Sequence, residues 1–108
     1  MKHEVSNRGD RVVVALKGEV DLESSPEARE LLLTSVAADR NVLVDLSAVT
    51  YIDSSGVASL VEALQASRQK GTQFALAAAS EPARRVLELA RLDRVFTMHD
   101  TVEDALNA

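Results

Sequence analysis

Apolar positions along this chain fall into short aliphatic runs that alternate with stretches of helical spacing. Val12-Val13-Val14-Ala15-Leu16 is the first run and predicts a strand. Asn7-Arg8-Gly9-Asp10 ahead of it has turn chemistry, so the weaker stretch Lys2 to Ser6 is expected to pair with it as a hairpin. Gly18 is expected to end the strand. Ser24-Ser25-Pro26-Glu27 then opens a helix: either serine can cap, proline fits the first turn, and glutamate suits the positive end of the dipole. Ala28, Leu31, Leu32 and Val36 continue it at helical spacing until Asn41 breaks the pattern.

Val42-Leu43-Val44-Asp45-Leu46 is a nearly continuous apolar run, as in a central parallel strand covered on both faces. A loop is expected from Ser47 to Ser55. Val57, Leu60, Val61 and Leu64 follow at i, i+3, i+4, i+7, the clearest helical stripe in the chain, closed by Lys70-Gly71. Phe74 to Ala78 predicts a strand. Ser80-Glu81-Pro82 opens a third helix with Val86, Leu87, Leu89 and Ala90 apolar. Val95-Phe96-Thr97 predicts a short last strand, and Asp100 with Glu103 a cap for a final helix holding Val102, Ala105 and Leu106. The order is ββαβαβαβα. It implies an α/β domain over residues 1–108, with a mixed sheet of about five strands and right-handed crossovers.

Composition narrows the function. The 108 residues are 46% hydrophobic, enough for one core. No apolar run is long enough to span a bilayer, and Met1-Lys2-His3-Glu4-Val5 does not resemble a signal peptide, so a cytoplasmic protein is expected, without membrane insertion. The absence of cysteine removes disulfides and thiolate chemistry. A net charge of −5 and only three aromatic residues argue against a nucleic-acid partner.

The chemistry concentrates in Asp45-Leu46-Ser47 and Asp53-Ser54-Ser55-Gly56, a strand followed by a serine pair where a helix begins. The first amides of a helix lack internal partners and carry partial positive charge, so a phosphate placed there is stabilised. Gly56 is expected to leave room for a partner's backbone. A serine in this position also serves as an ordinary N-cap, and the motif alone leaves both readings open.

The wider pattern resembles the STAS family, the domain shared by sulfate transporters and anti-sigma-factor antagonists. The resemblance rests on Asp45-Leu46-Ser47 followed by Ile52-Asp53-Ser54-Ser55-Gly56-Val57. Gly18-Glu19-Val20-Asp21 is similar to the family's turn into its first helix. Arg85 to Leu89 and Leu92 to Phe96 are similar to its third helix and last strand. The absence of an attached transporter segment points to the free-standing antagonist branch. In that branch the second serine of the pair, here Ser55, is phosphorylated. Asp53, Ser54 and Gly56 form the loop around it, and Gly18, Glu19, Asp21, Asp53 and Val57 match the partner-binding region. The family's usual leucine after the motif glycine, and glycine one place further, are replaced by Val57 and Ala58.

The resemblance implies partner switching by a monomer or weak dimer. The unphosphorylated protein holds an anti-sigma factor with serine kinase activity, phosphorylation of Ser55 releases it, and a PP2C-type phosphatase resets the switch. No nucleotide loop of the Gly-x-x-x-x-Gly-Lys kind is present, so ATP belongs to the kinase. A second reading is a STAS subunit of a membrane lipid-transport ABC ATPase complex, where alanine often replaces the acceptor serine. Enzyme activity and a resident cofactor or metal are not expected. His3 and His99 lie far apart, and Asp-Ser-Ser-Gly is not a nucleophile elbow. Arg84, Arg85, Arg91 and Arg94 are interleaved with acidic residues and read as a solvated face, with Arg84 and Glu88 at ion-pair spacing.

Overall fold

β-branched residues at Val12 to Val14 and Val42 to Val44 build the two central strands, and everything else packs on them. The computed structural model describes residues 1–108. Its elements are β1 (Lys2–Arg8), β2 (Arg11–Val20), α1 (Ser25–Ala37), β3 (Asn41–Ile52), α2 (Ser54–Lys70), β4 (Phe74–Ala77), α3 (Glu81–Leu89), a 3-10 turn (Leu92–Arg94), β5 (Thr97–His99) and α4 (Val102–Leu106). One five-stranded sheet runs in the order β1-β2-β3-β4-β5. The β1–β2 hairpin is antiparallel and the other pairings are parallel.

Alternation along β2 divides the core. Val12, Val14 and Leu16 join Leu32 and Val36 of α1 and Leu60 and Leu64 of α2 in the main cluster. Val13 points the other way, to Leu43, Ala77 and Ala105 under α4. Full burial of one such leucine contributes about 2 kcal/mol. Gly71 closes α2 at φ +75°, with the Thr72 amide donating to the Ser67 carbonyl at 3.0 Å.

Three expected boundaries move. β2 continues through Gly18 to Val20, so Gly18 and Glu19 pair with Val49 and Tyr51 in the ladder and are not a turn. β3 continues to Ile52, where a loop was expected. The pairing with β2 slips twice, between Ala15 and Lys17 and between Gly18 and Glu19, and each slip leaves an extra residue on β3. The buried positions Leu46, Val49 and Ile52 therefore fall every third residue. That spacing matches neither the strand nor the helix template. Its first bulge contains Ser47, whose amide donates to the Asp45 carboxylate at 2.9 Å. Finally, β5 is Thr97–His99, because the amides of Val95 and Phe96 donate to the Leu92 carbonyl and hold them in the preceding turn. Phe96 still reaches the core, its ring 6.3 Å from Phe74.

Two local details also differ. Thr101, not Asp100, caps α4, its hydroxyl accepting the Asp104 amide at 3.0 Å. On α3 the ion pair joins Arg85 to Glu81 at 3.4 Å rather than Arg84 to Glu88. No helix is long and apolar enough to cross a membrane.

Candidate functional site

The carboxyl ends of β2 and β3 lie side by side, and the turn into α1 and the start of α2 grow from them. The Asp53 amide donates to the Val20 carbonyl at 3.3 Å, which ties the two turns together. Glu19, Asp21, Leu22, Glu23, Tyr51, Asp53 and Ser55 gather at this end of the molecule through that link and the Glu19–Tyr51 pairing. This acidic loop and the serine pair, separated by some thirty positions in sequence, are neighbours in the fold.

The start of α2 assigns its polar groups unambiguously. Asp53, in extended conformation, is the N-cap. Its Oδ1 accepts the amides of Ser55 (3.0 Å) and Gly56 (3.1 Å) and the hydroxyl of Ser55 (2.8 Å). Neither serine caps the helix, so the plain capping reading fails. An acidic side chain at this place satisfies the end of the helix better than serine does, because it adds a charge that favours the dipole. Ser55 is left with a half-exposed hydroxyl held against a carboxylate, and Ser54 is exposed. Hydrogen bonds from the Ser55 hydroxyl and the Gly56 amide hold the Asp53 carboxyl below the usual range.

Asp21 makes a similar side-chain-to-backbone turn just ahead of α1, whose own N-cap, Ser24, makes no side-chain cap bond. Its carboxylate accepts the amides of Glu23 (3.1 Å) and Ser24 (3.0 Å). The Ser24 hydroxyl accepts the Asp21 amide at 2.9 Å and lies 2.9 Å from the Glu19 carbonyl, to which it donates. The Ser24 amide and hydroxyl lower the Asp21 pKa, and the nearby Asp53 charge works in the opposite direction.

Two residues of the expected site have other duties. Gly56 is buried, and a Cβ there would lie 2.5 Å from the Val20 carbonyl oxygen and 2.8 Å from Ile52 Cγ1. The backbone it admits is that of the chain's own β2, not a partner's. Val57 is 7% exposed and packs in the main core, so its side chain offers nothing to a partner. Gly18 is half-buried within β2.

Two apolar side chains at this end went unread. Leu22 is 76% exposed and Tyr51 is 50% exposed. They flank Asp21 and Asp53 around one shallow depression. Tyr51 also borders a second cleft with Pro82, Arg85 and Val86 of α3. An apolar pair ringed by carboxylates is the composition of a protein-docking patch with a polar rim. Leu22 fits no helical or strand spacing, and Tyr51 fell in the bulged part of β3; their signal was that an isolated leucine in an acidic turn has no core to join.

Comparison with known proteins agrees with this geometry. The model of the STAS domain matches residues 2–105. The chain is 31% identical over 103 residues to the anti-sigma-F factor antagonist RsfB of Mycobacterium tuberculosis, covering 94% of this chain and 84% of that protein. It is 28% identical over 99 residues to the anti-sigma-B factor antagonist of Listeria monocytogenes, covering 91% and 86%. The crystal structure of an anti-sigma factor antagonist from Mycobacterium paratuberculosis superposes with a TM-score of 0.90 at 30% identity, over 98% of this chain and 91% of that one.

Proposed function

The chain belongs to the STAS family, and from that premise we propose that it is an anti-sigma factor antagonist switched by phosphorylation of Ser55. The observation that carries the proposal is the division of labour at α2. Asp53 caps the helix, and the Ser55 hydroxyl, which does not cap it, rests against that carboxylate at the edge of the acidic, apolar-centred patch. A serine kinase that docks on this patch has the acceptor oxygen within its footprint. That kinase is the anti-sigma factor itself. It brings ATP, the Ser55 oxygen takes the γ-phosphoryl group, and ADP leaves.

Binding energy comes from Leu22 and Tyr51, and Glu19, Asp21, Glu23 and Asp53 steer a basic partner surface towards them. A phosphate on Ser55 adds about −1.5 to −2 charges at the edge of that footprint. The partner then has to desolvate a dianion beside Asp53, which costs several kcal/mol, and the complex dissociates. A PP2C-type phosphatase restores the hydroxyl. The naming of relatives as antagonists, together with a serine at position 55, favours this reading over the lipid-transport subunit.

The test is a titration of the cognate anti-sigma factor with unmodified and Ser55-phosphorylated protein. A loss of affinity of at least about tenfold on phosphorylation, roughly 1.4 kcal/mol, is expected. Equal affinities would overturn the switch.

A further inference from the structure

We propose that the groove between α1 and α2 is the receiving site for the phosphoryl group on Ser55, and that Arg29 leaves Glu62 to hold it. The inference rests on the reading of Ser55 as a phosphorylated residue.

The start of α2 cannot shelter a phosphate by itself. Its Ser55 and Gly56 amides, which would otherwise stabilise an anion, already donate to the Asp53 carboxylate. The Val57 amide donates to the Asp53 carbonyl within the helix. A dianion on Ser55 therefore meets Asp53 at close range, with Asp21 near it, and finds three of the four first-turn amides, those of Ser55, Gly56 and Val57, already engaged.

The side of Ser55 away from the docking patch offers the missing charge. Ser55 borders a groove whose rim also carries Ser25, Arg29, Glu30, Ser59 and Glu62. Arg29 is the one basic side chain on that rim. The two helices are locked in register at this level, because the Ser59 hydroxyl lies 3.2 Å from both the Ser25 carbonyl and the Ser55 carbonyl. Arg29 follows Ser25 by one turn and Ser55 precedes Ser59 by one turn, about 6 Å each along the axis, so the guanidinium and a phosphate on Ser55 would reach towards each other along the groove that both residues line. In the unmodified protein its guanidinium pairs with Glu62, one turn beyond Ser59, and both partners are half-exposed. An exposed carboxylate pair of this kind contributes roughly 0–1 kcal/mol, so it is easily exchanged. A phosphomonoester carries more charge than Glu62 and accepts the guanidinium bidentately. The exchange offsets part of the phosphate charge, leaves the site net negative beside Asp53, and frees the Glu62 carboxylate, so the modified groove differs in charge and shape from the unmodified one.

The groups facing the phosphate are Asp53 and Glu62 from α2, Arg29 and Glu30 from α1, and Asp21 from the turn before α1. The experiment incorporates phosphoserine at position 55 during translation and follows its second ionisation by 31P NMR. The result is then independent of any kinase, and failure of a kinase to modify Ser55 would strike the functional reading alone. In the phosphorylated protein the ionisation is expected roughly half a pH unit or more below that of the Arg29→Gln protein. Arg29→Lys should retain part of the difference, because it keeps the charge and loses the fork. Glu62→Gln should retain all of it, and the Arg29 Nε–H signal should move on phosphorylation in wild type only where Arg29 has changed partner. The same ionisation in wild type and Arg29→Gln, or an unmoved Arg29 Nε–H signal, would overturn the proposal.

Discussion

The starts of α2 and α3 are built from similar letters and do different work. In α3 the cap is Ser80, whose hydroxyl accepts the Ala83 amide at 3.3 Å. The second helical position is Pro82 and the third is Ala83, which is fully buried. In α2 the cap is Asp53, the second position is Ser55 and the third is Gly56. The serine of α3 is consumed by the helix, whereas an aspartate relieves the serine of α2. A hydroxyl at a helix start is a functional group only where another residue has taken over the capping. The third position sharpens the contrast: α3 tolerates a methyl group there, and α2 lies so close to β2 that it does not.

Substitution at the third position should give the largest effect. Gly56→Ala forces a Cβ against the Val20 carbonyl oxygen and the Ile52 side chain, and a loss of about 3 kcal/mol is expected. Ala83→Gly should cost less, about 2 kcal/mol, from lost helix propensity and one lost buried methyl group. Urea unfolding of both proteins checks the pair, and similar losses would erase the distinction.

The next effect is on binding. Leu22→Ala and Tyr51→Ala should each weaken the anti-sigma factor complex by roughly tenfold or more and leave the melting temperature nearly unchanged, since both side chains are exposed. Calorimetric titration and a thermal melt on the same samples measure both.

Caps come next. Ser80→Ala should cost about 1 kcal/mol through its lost cap, while Ser55→Ala should leave stability nearly unaltered and still bind the partner. A larger loss from Ser55→Ala than from Ser80→Ala would mean that Ser55 is structural after all.

The smallest effect is on the acid limb. The folded pKa values of Asp53 and Asp21 are depressed by the hydrogen bonds each accepts. Such a group contributes stability that is present above its unfolded pKa, about 4, and is lost as pH falls through the folded value. Asp53→Asn and Asp21→Asn should therefore unfold less steeply with acid below about pH 4 than wild type. Denaturant midpoints measured across that range check the slope.

Much of this was legible because periodicity and turn chemistry agree over most of the chain. The order of strands and helices, the Val57–Leu64 stripe and the Gly71 stop follow directly from residue spacing. The extension of β3 did not, since its two bulges replace alternation with a threefold spacing at Leu46, Val49 and Ile52. At the site, the placement of the serine pair at the start of α2 was legible from the motif. The burial of Val57 was contained in the Val57–Leu64 stripe; the duty of Gly56 was not legible, because it depends on how closely α2 sits on β2, a tertiary distance that no local pattern encodes. Leu22 carried a signal in its isolation within an acidic turn, whereas the exposure of Tyr51 shows only once the bulged end of β3 is placed.

The central claim is that Asp53 caps the helix so that Ser55 is the acceptor. Its most direct test is phosphate mapping by mass spectrometry after incubation with the cognate kinase and Mg-ATP. A single phosphate on Ser55 is expected, retained in Ser54→Ala and absent from Ser55→Ala. Phosphate on Ser54, or persisting in Ser55→Ala, would contradict the account.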